Sequence, residues 1–447
     1  MIGETPLAGA RMSLSCIGLG RIAALALAGA SSLLCAQTYG PPVDKSVTAP
    51  AAVPAGIPSE LAAIAARAVE ANPDVRAARL NNRAATTDIR AAKWQQGPSV
   101  SVGLFGFAGG TQVVRNQNVT ANVTVDQPIY QGGRIGGTID RAHASERQSL
   151  AITDETAQDV ALRVANAYYN YVGAVRRTGA LDEGLTEHRS LVASIQRRVE
   201  QEVSPPVDLE LGRSRTAQLL QQQIAAKAQA EASLQQLRVL LADPSFTISE
   251  TPRYEPAIHH PDQSRAIEDA TTCSPTRKRL LAEAQVARAD QKLARSQYLP
   301  HLSAQFSSNE VTGDRVGLSL TTALNGGLAP IESERAAKTR RQAAETRVDT
   351  ANQDVETQLA ADFAENAAAR ERVTASRTAA EAARGVTDSY QRLFVVGRRS
   401  WLDVMNAALE VTQADISVQD AEVSAMASAA RIQLRTCRWQ PQPQISR

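Results

Sequence analysis

The run Val119-Thr120-Ala121-Asn122-Val123-Thr124-Val125-Asp126-Gln127-Pro128-Ile129-Tyr130-Gln131-Gly132-Gly133 sets the reading of the whole chain. Val119, Ala121, Val123 and Val125 alternate with Thr120, Asn122, Thr124 and Asp126. A period of two puts alternate side chains on opposite faces of a strand, here one apolar and one polar. Such a strand fits an antiparallel sheet with one face on a core, and equally a barrel wall between lipid and water. Upstream, Val100-Ser101-Val102-Gly103-Leu104 alternates in the same way behind Pro98. Downstream, Thr138 to Gln201 run without a proline, which predicts one helix of about 90 Å at ~1.5 Å per residue.

The same order returns further along. Asn72-Pro73 and Ser274-Pro275 each open a helical run, and Pro98 and Pro300 follow 25 residues later in both cases (98 − 73, 300 − 275). Gln131-Gly132-Gly133 matches Asn325-Gly326-Gly327 at an offset of 194 (325 − 131). Tyr168 matches Phe363, and Val207-Asp208-Leu209 matches Leu402-Asp403-Val404, both offset by 195 (363 − 168, 402 − 207). Alternating strands stand in the second copy too, at Leu302, Ala304 and Phe306 and at Val316, Leu318 and Leu320. Several matches in one order mark a tandem duplication. Each unit reads as helix, two strands, a long helix and a shorter one, an α+β protomer with units over 59–242 and 263–437 and a connector over 243–262.

The flanks read differently. Residues 1–36 have the form of a secretory signal: Arg11 and Arg21, then the apolar run Ile22 to Leu34, too short for the ~20 residues of a membrane-spanning helix. Leu33 and Leu34 before Cys35 argue against a lipid-attachment signal. Residues 37–58, with five prolines, read as an extended linker, and 438–447 as a tail. Without the signal, two of the four cysteines remain, Cys273 and Cys437. One disulfide is open to them in an oxidising compartment; two unpaired cysteines is the favoured expectation.

Net charge is +2 and aromatics are 4% of the 447 residues, which argues against a nucleic-acid surface. None of the five histidines, His143, His188, His259, His260 and His301, stands in a metal-binding pattern, and His259-His260 reads as a solvated loop. Gly132-Gly133-Arg134-Ile135-Gly136-Gly137 lacks the Lys-Ser/Thr of a phosphate loop and reads as a strand-to-helix turn. No catalytic or cofactor constellation is found, so no enzyme activity is expected.

No stretch after residue 36 approaches 18 apolar residues, so a membrane can be entered only as β-strands. Four strands cannot close a barrel, since closed ones start at about eight, and an open edge is forbidden in lipid. Under the membrane reading, several chains must share one barrel. Val160, Val164, Ala167, Tyr168, Tyr171 and Val175 give the long helix an apolar seam, with Arg and Glu on other faces. Such helices project into water and pack side by side as a coiled-coil wall. A free-standing coiled-coil rod is the alternative, against which the interposed strands argue.

The duplication, the proline at the entry to each first strand, Asp126 to Gly133 closing the second strand, and the turns Ser204 to Asp208 and Gly397 to Asp403 resemble the TolC family of outer-membrane factors over residues 59 to 437. Within it the chain most resembles the outer-membrane component of type I exporters, including the CyaE-like one that serves an RTX adenylate cyclase toxin. The resemblance implies a trimer with a 12-stranded outer-membrane β-barrel and a periplasmic α-helical barrel. The implied partners are an inner-membrane ABC transporter, a periplasmic membrane fusion adaptor, outer-membrane lipid and an exported protein. Arg399 matches the family's gate arginine, and Asp403 and Asp208 its entrance carboxylates. Phe394 and Asn406 stand where the type member has a tyrosine and a second aspartate. Alternatively, Arg399 and Asp403 are a solvated pair with Asp403 serving the helix N-terminus. Two further readings stay open: a drug or metal efflux duct, and a periplasmic adaptor built on a helical hairpin.

Overall fold

The computed structural model describes residues 53–106, 119–309, 313–322 and 327–441. The expected signal segment with Cys35, most of the linker, Asn325-Gly326 and the end of the tail lie outside the described residues.

After the entry helix α1 (Ser59–Ala71), the elements come in two sets of matching size. The first is α2 (Pro73–Trp94), β1 (Ser99–Gly106), β2 (Val119–Gln131), α3 (Arg134–Glu200) and α4 (Pro206–Leu241). A short helix α5 (Ala266–Cys273) leads to α6 (Pro275–Ser296), β3 (His301–Asn309), β4 (Gly313–Thr321), α7 (Ala329–Val395) and α8 (Trp401–Arg435). Helices α3 and α7 both have 67 residues, about 100 Å at ~1.5 Å each, and α2 and α6 both have 22. The entries to α2 and α6 are built alike. The Asn72 side chain accepts from the Asp74 N–H at 2.9 Å, the Ser274 hydroxyl from the Arg277 N–H at 3.3 Å, and a proline occupies the first turn of each helix.

Helix α3 is the spine. It packs against α2 and α6 in the half beside the strands and against α4 and α8 in the half leading to the turns; α7 flanks α6 and α8. Enclosure on several sides explains why burial on α3 is wider than the seam: Ala161, Ala165, Tyr169 and Val172 are buried along with Val160, Val164 and Tyr168. Close approach needs small residues. A Cβ on Gly184 of α3 would fall on Thr412 of α8. The largest buried cluster joins Leu61 of α1, Tyr168 of α3, Leu237 of α4, Tyr254 of the connector, Met426 of α8 and Trp439. Beside it, Glu422 of α8 binds Arg176 of α3 at 2.9 Å and Arg377 of α7 at 2.5 Å, and Arg176 also donates to the Pro252 carbonyl of the connector.

Two expectations are corrected. Cys273 and Cys437 are not free: a disulfide joins the end of α5 to the residue beyond α8, with Cα atoms 6.3 Å apart. Cys437 and its first-repeat counterpart Ala242 both adopt positive φ, 54° and 53°, which turns the chain sharply at the end of α8 and of α4. Beside each turn stands an ion pair of opposite polarity, Arg67–Asp243 at 3.2 Å and Arg438–Asp269 at 2.9 Å. His259, expected in a solvated loop, is buried. It stacks on Tyr254 with ring centroids 5.5 Å apart, and its carbonyl lies 3.5 Å from the Asn366 amide, because the connector folds back onto the helices.

Candidate functional site

The strands form one antiparallel sheet in the order β1-β2-β3-β4, so β1 and β4 each keep an unpaired edge within the chain. The register sorts the side chains onto two unlike faces. Val100, Val125, Phe306 and Val316 make one row across all four strands. On the same face Val102 pairs with Val123, Leu104 with Ala121, and Ala304 with Leu318. Leu302 there joins Leu320 to Tyr130 beyond an irregularity at Pro128, which has no N–H to donate. Ser, Thr, Asn, Gln and Gly fill most of the other face.

The apolar face has no cover. Val316 is 83% exposed, Leu318 72% and Leu320 70%, and no strand residue joins a buried cluster among the described residues. From the Leu320 row to the Leu104 row is four steps of two residues, with polar side chains on this face only at Gln127 and at the bonded pair Ser308–Asp314, whose hydroxyl and carboxylate are 2.6 Å apart. The four steps are about 27 Å along a strand, or about 20 Å of height at a tilt near 40°, close to the ~25 Å apolar band of membrane barrels. Trp94, 81% exposed at the end of α2, and Tyr130 stand at the helix-side border, where amphipathic rings suit a lipid–water boundary. No described helix is long and apolar enough to cross a membrane.

At the far end of the long helices are two tight turns. The α7–α8 turn passes through Gly397 at φ 71°, and the two tips are locked by a small apolar cluster. Trp401 and Met405 of α8 and Ile195 of α3 form its centre, with Phe394 and Leu209 packed around them. A Cβ on Gly212 of α4 would lie 2.5 Å from the Trp401 ring, so glycine there lets α4 and α8 meet. Phe394 therefore packs inward, with the Arg198 guanidinium 4.9 Å from its ring. Neither Trp401 nor Arg198 was singled out from sequence; a tryptophan directly after the turn was the available signal.

Arg399 and Asp403 sit in one turn. Arg399 Nη1 is 3.8 Å from Asp403 Oδ2, and its guanidinium lies 4.4 Å from the Tyr390 ring. The pair does not bridge the two hairpins of the chain. Asp403 also closes a capping box: the Ser400 N–H donates to it at 3.2 Å, while the Ser400 hydroxyl accepts from the Asp403 N–H at 3.1 Å. The Ser400 bonds first, and the Arg399 charge after them, hold the Asp403 carboxyl below its ordinary range. Asp208 occupies the corresponding first turn of α4, but Pro205 precedes that helix and supplies no side-chain cap. Asn406 is exposed one turn beyond Asp403. Among the described residues, no hydrogen bond or ion pair joins Asp208 to Arg399, Asp403 or Asn406.

Just above the tips, His188 of α3 is fully buried with no hydrogen bond to either ring nitrogen. Burial pushes its pKa down, against a weaker opposing influence from the Ala408 backbone.

A chain with an uncovered apolar sheet at one end of two helices about 100 Å long, and a hairpin turn at the other end of each, has few architectures open to it. The fold is that of the outer-membrane channels. A membrane protein from Pseudomonas aeruginosa superposes with a TM-score of 0.76 at 16% identity, over 85% of this chain and 94% of its own. The CmeC outer membrane channel of Campylobacter jejuni gives 0.71 at 13%, over 85% of each chain. The open-state MtrE outer membrane channel of Neisseria gonorrhoeae gives 0.68 at 16%, over 84% and 88%. Residues 64–243, which run from α1 to the end of α4, match the family model for outer membrane efflux proteins. No curated protein gives a significant sequence match.

Proposed function

We propose that this chain is the protomer of a trimeric exit duct in the outer membrane, with the strands in lipid and the helices in the periplasm. The observation that carries it is the four-stranded sheet with an uncovered apolar face and two open edges. In lipid each open edge would cost several kcal/mol per unpaired group, so the edges must close on other copies. Three copies give twelve strands, an even number within the range of membrane barrels. The helical layer has free flanks to match: α2 and α4 on one side of α3, and α7 on the other. The passage through the helices would be the export path, with an inner-membrane transporter and a periplasmic adaptor supplying energy and cargo. An adaptor in place of a duct is disfavoured, because the doubled hairpins and the open sheet match channel folds over most of their length.

For the cargo, an efflux duct is the better supported reading, since the family match is to efflux proteins. Type I secretion of a protein toxin rests on sequence resemblance alone. At the tips, Arg399, Asp403, Asp208, Phe394 and Asn406 are proposed as the entrance: Phe394 as packing that holds the tip closed, the exposed Arg399 and Asn406 and the half-buried Asp403 and Asp208 as polar groups facing neighbouring copies. Membrane fractionation followed by planar-bilayer recording tests the proposal. It requires the protein in the outer-membrane fraction and discrete conductance steps from purified material. Recovery as a soluble periplasmic protein would overturn it.

A further inference from the structure

The polar face of the sheet carries two charges, and their placement says something about what the barrel passes. By register, Asp126 of β2 lies in the row of Ser99 and Gln305, and Gln305 pairs on with Gly317. Arg315 of β4 pairs with Ser307, which pairs with Thr124, one row of this face further from the helices. The two rows are two residues apart, about 7 Å along a strand, and the two strands are separated by β3, about 10 Å across. Neither side chain has an ion-pair partner among the described residues, and at about 12 Å they are too far apart to bond each other. That spacing exceeds a Debye length of ~8–10 Å at ordinary ionic strength, so each charge acts on passing ions largely by itself.

Resting on the duct reading, in which this face lines the lumen, we infer that Asp126 and Arg315 are the selectivity-determining residues of the barrel. Three carboxylates form a ring nearer the helices and three guanidiniums a second ring further out. Rings of charged side chains set ion preference in pores. Two opposed rings in series, on a face otherwise made mostly of Ser, Thr, Asn, Gln and Gly, leave the barrel without a net preference. The cargo such a passage favours is uncharged or zwitterionic, since a strongly charged solute meets a repelling ring at one row or the other.

The test is the reversal potential of single channels in a tenfold KCl gradient, for wild type, Asp126→Asn, Arg315→Gln and the double variant. Asp126→Asn keeps the side chain's shape and Arg315→Gln keeps a polar, uncharged end on a shorter chain, and each variant's oligomer is checked by gel filtration. Asp126→Asn shifts the cation-to-anion permeability ratio about twofold toward anions, and Arg315→Gln shifts it about twofold toward cations, the effect expected of a few partly screened charges about one Debye length from the pore axis. The double variant returns near wild type. Conducting variants with an unchanged ratio, or two shifts of the same sign, overturn the inference while leaving the duct in place. A wild-type protein that does not conduct overturns the duct and the inference together.

Discussion

Placing an arginine at Val316 asks directly which face of the sheet meets lipid. Val316 is the outermost member of the row Val100–Val125–Phe306–Val316, the middle one of five rows, with Asp314 one step further out on the same face, and 83% of it is uncovered within the chain. A guanidinium at the bilayer mid-plane of a membrane barrel costs about 2–4 kcal/mol, falling to about 0–1 kcal/mol near the interfaces. Leu318 and Leu320 follow on the same face at successive steps of about 7 Å toward the helices. In an Asp314→Asn background, which removes the carboxylate an arginine at 316 could reach, Val316→Arg should therefore cost about 2–4 kcal/mol per chain, Leu318→Arg less, and Leu320→Arg least. Ser319→Arg, between the last two in sequence but on the opposite face, should cost close to nothing. Urea unfolding of protein folded into lipid vesicles, followed by tryptophan fluorescence, measures the series. Equal losses on the two faces, or no gradient from Val316 to Leu320, would refute the assignment of the apolar face to lipid.

Replacing Cys273 and Cys437 by serine opens a closed loop spanning 164 residues, for which chain entropy gives up to about 5 kcal/mol; a clear drop in thermal midpoint, matched by reducing the wild type, is expected. His188 and His259 are both held neutral by burial, below the usual imidazole value of about 6.5. The unfolded chain then binds more protons, so stability is complete above pH ~6.5 and falls as pH drops below it, by up to about 1.4 kcal/mol per pH unit for each ring. Thermal melts between pH 7.5 and 5.5 should trace this decline, with a shallower slope in His188→Leu. At the entrance, Arg399→Ala with Asp403→Ala should raise single-channel conductance without changing assembly. Ser400→Ala, which removes the cap but keeps both charges, should leave conductance unchanged; if it matches the double variant, the two residues serve the helix end and not the gate.

Much of this architecture was legible because duplication and alternation are local signals. The strands at Val100 and Val119 and those around Leu302 and Val316 follow from period two alone, and the proline entries at Pro73 and Pro275 from the fixed backbone of that residue. What was hidden depended on distant parts of the chain meeting. Cys273 and Cys437 pair because α5 and the end of α8 are brought together by packing, which no spacing in sequence reveals. His259 is buried because the connector folds back, although its proline-rich surroundings read as solvated. At the tips the sequence located the turns but not the lock. Trp401 reaching Gly212 on another helix, and Arg198 resting on Phe394, are contacts between hairpins that only the folded chain brings together. The Arg399–Asp403 pair shows the same limit, since the nearest partner of each lies within its own turn and any contact between copies depends on the assembly.

In the proposed duct one chain supplies a third of a closed barrel. The mass of the detergent-solubilised protein, determined by light scattering with the detergent contribution subtracted or by native mass spectrometry, tests it most directly. Three chains of 447 residues in one particle, less any cleaved signal, is the expected result. A folded, stable monomer with its four-stranded sheet intact would contradict it, because the two open edges would then persist without the partners that lipid demands.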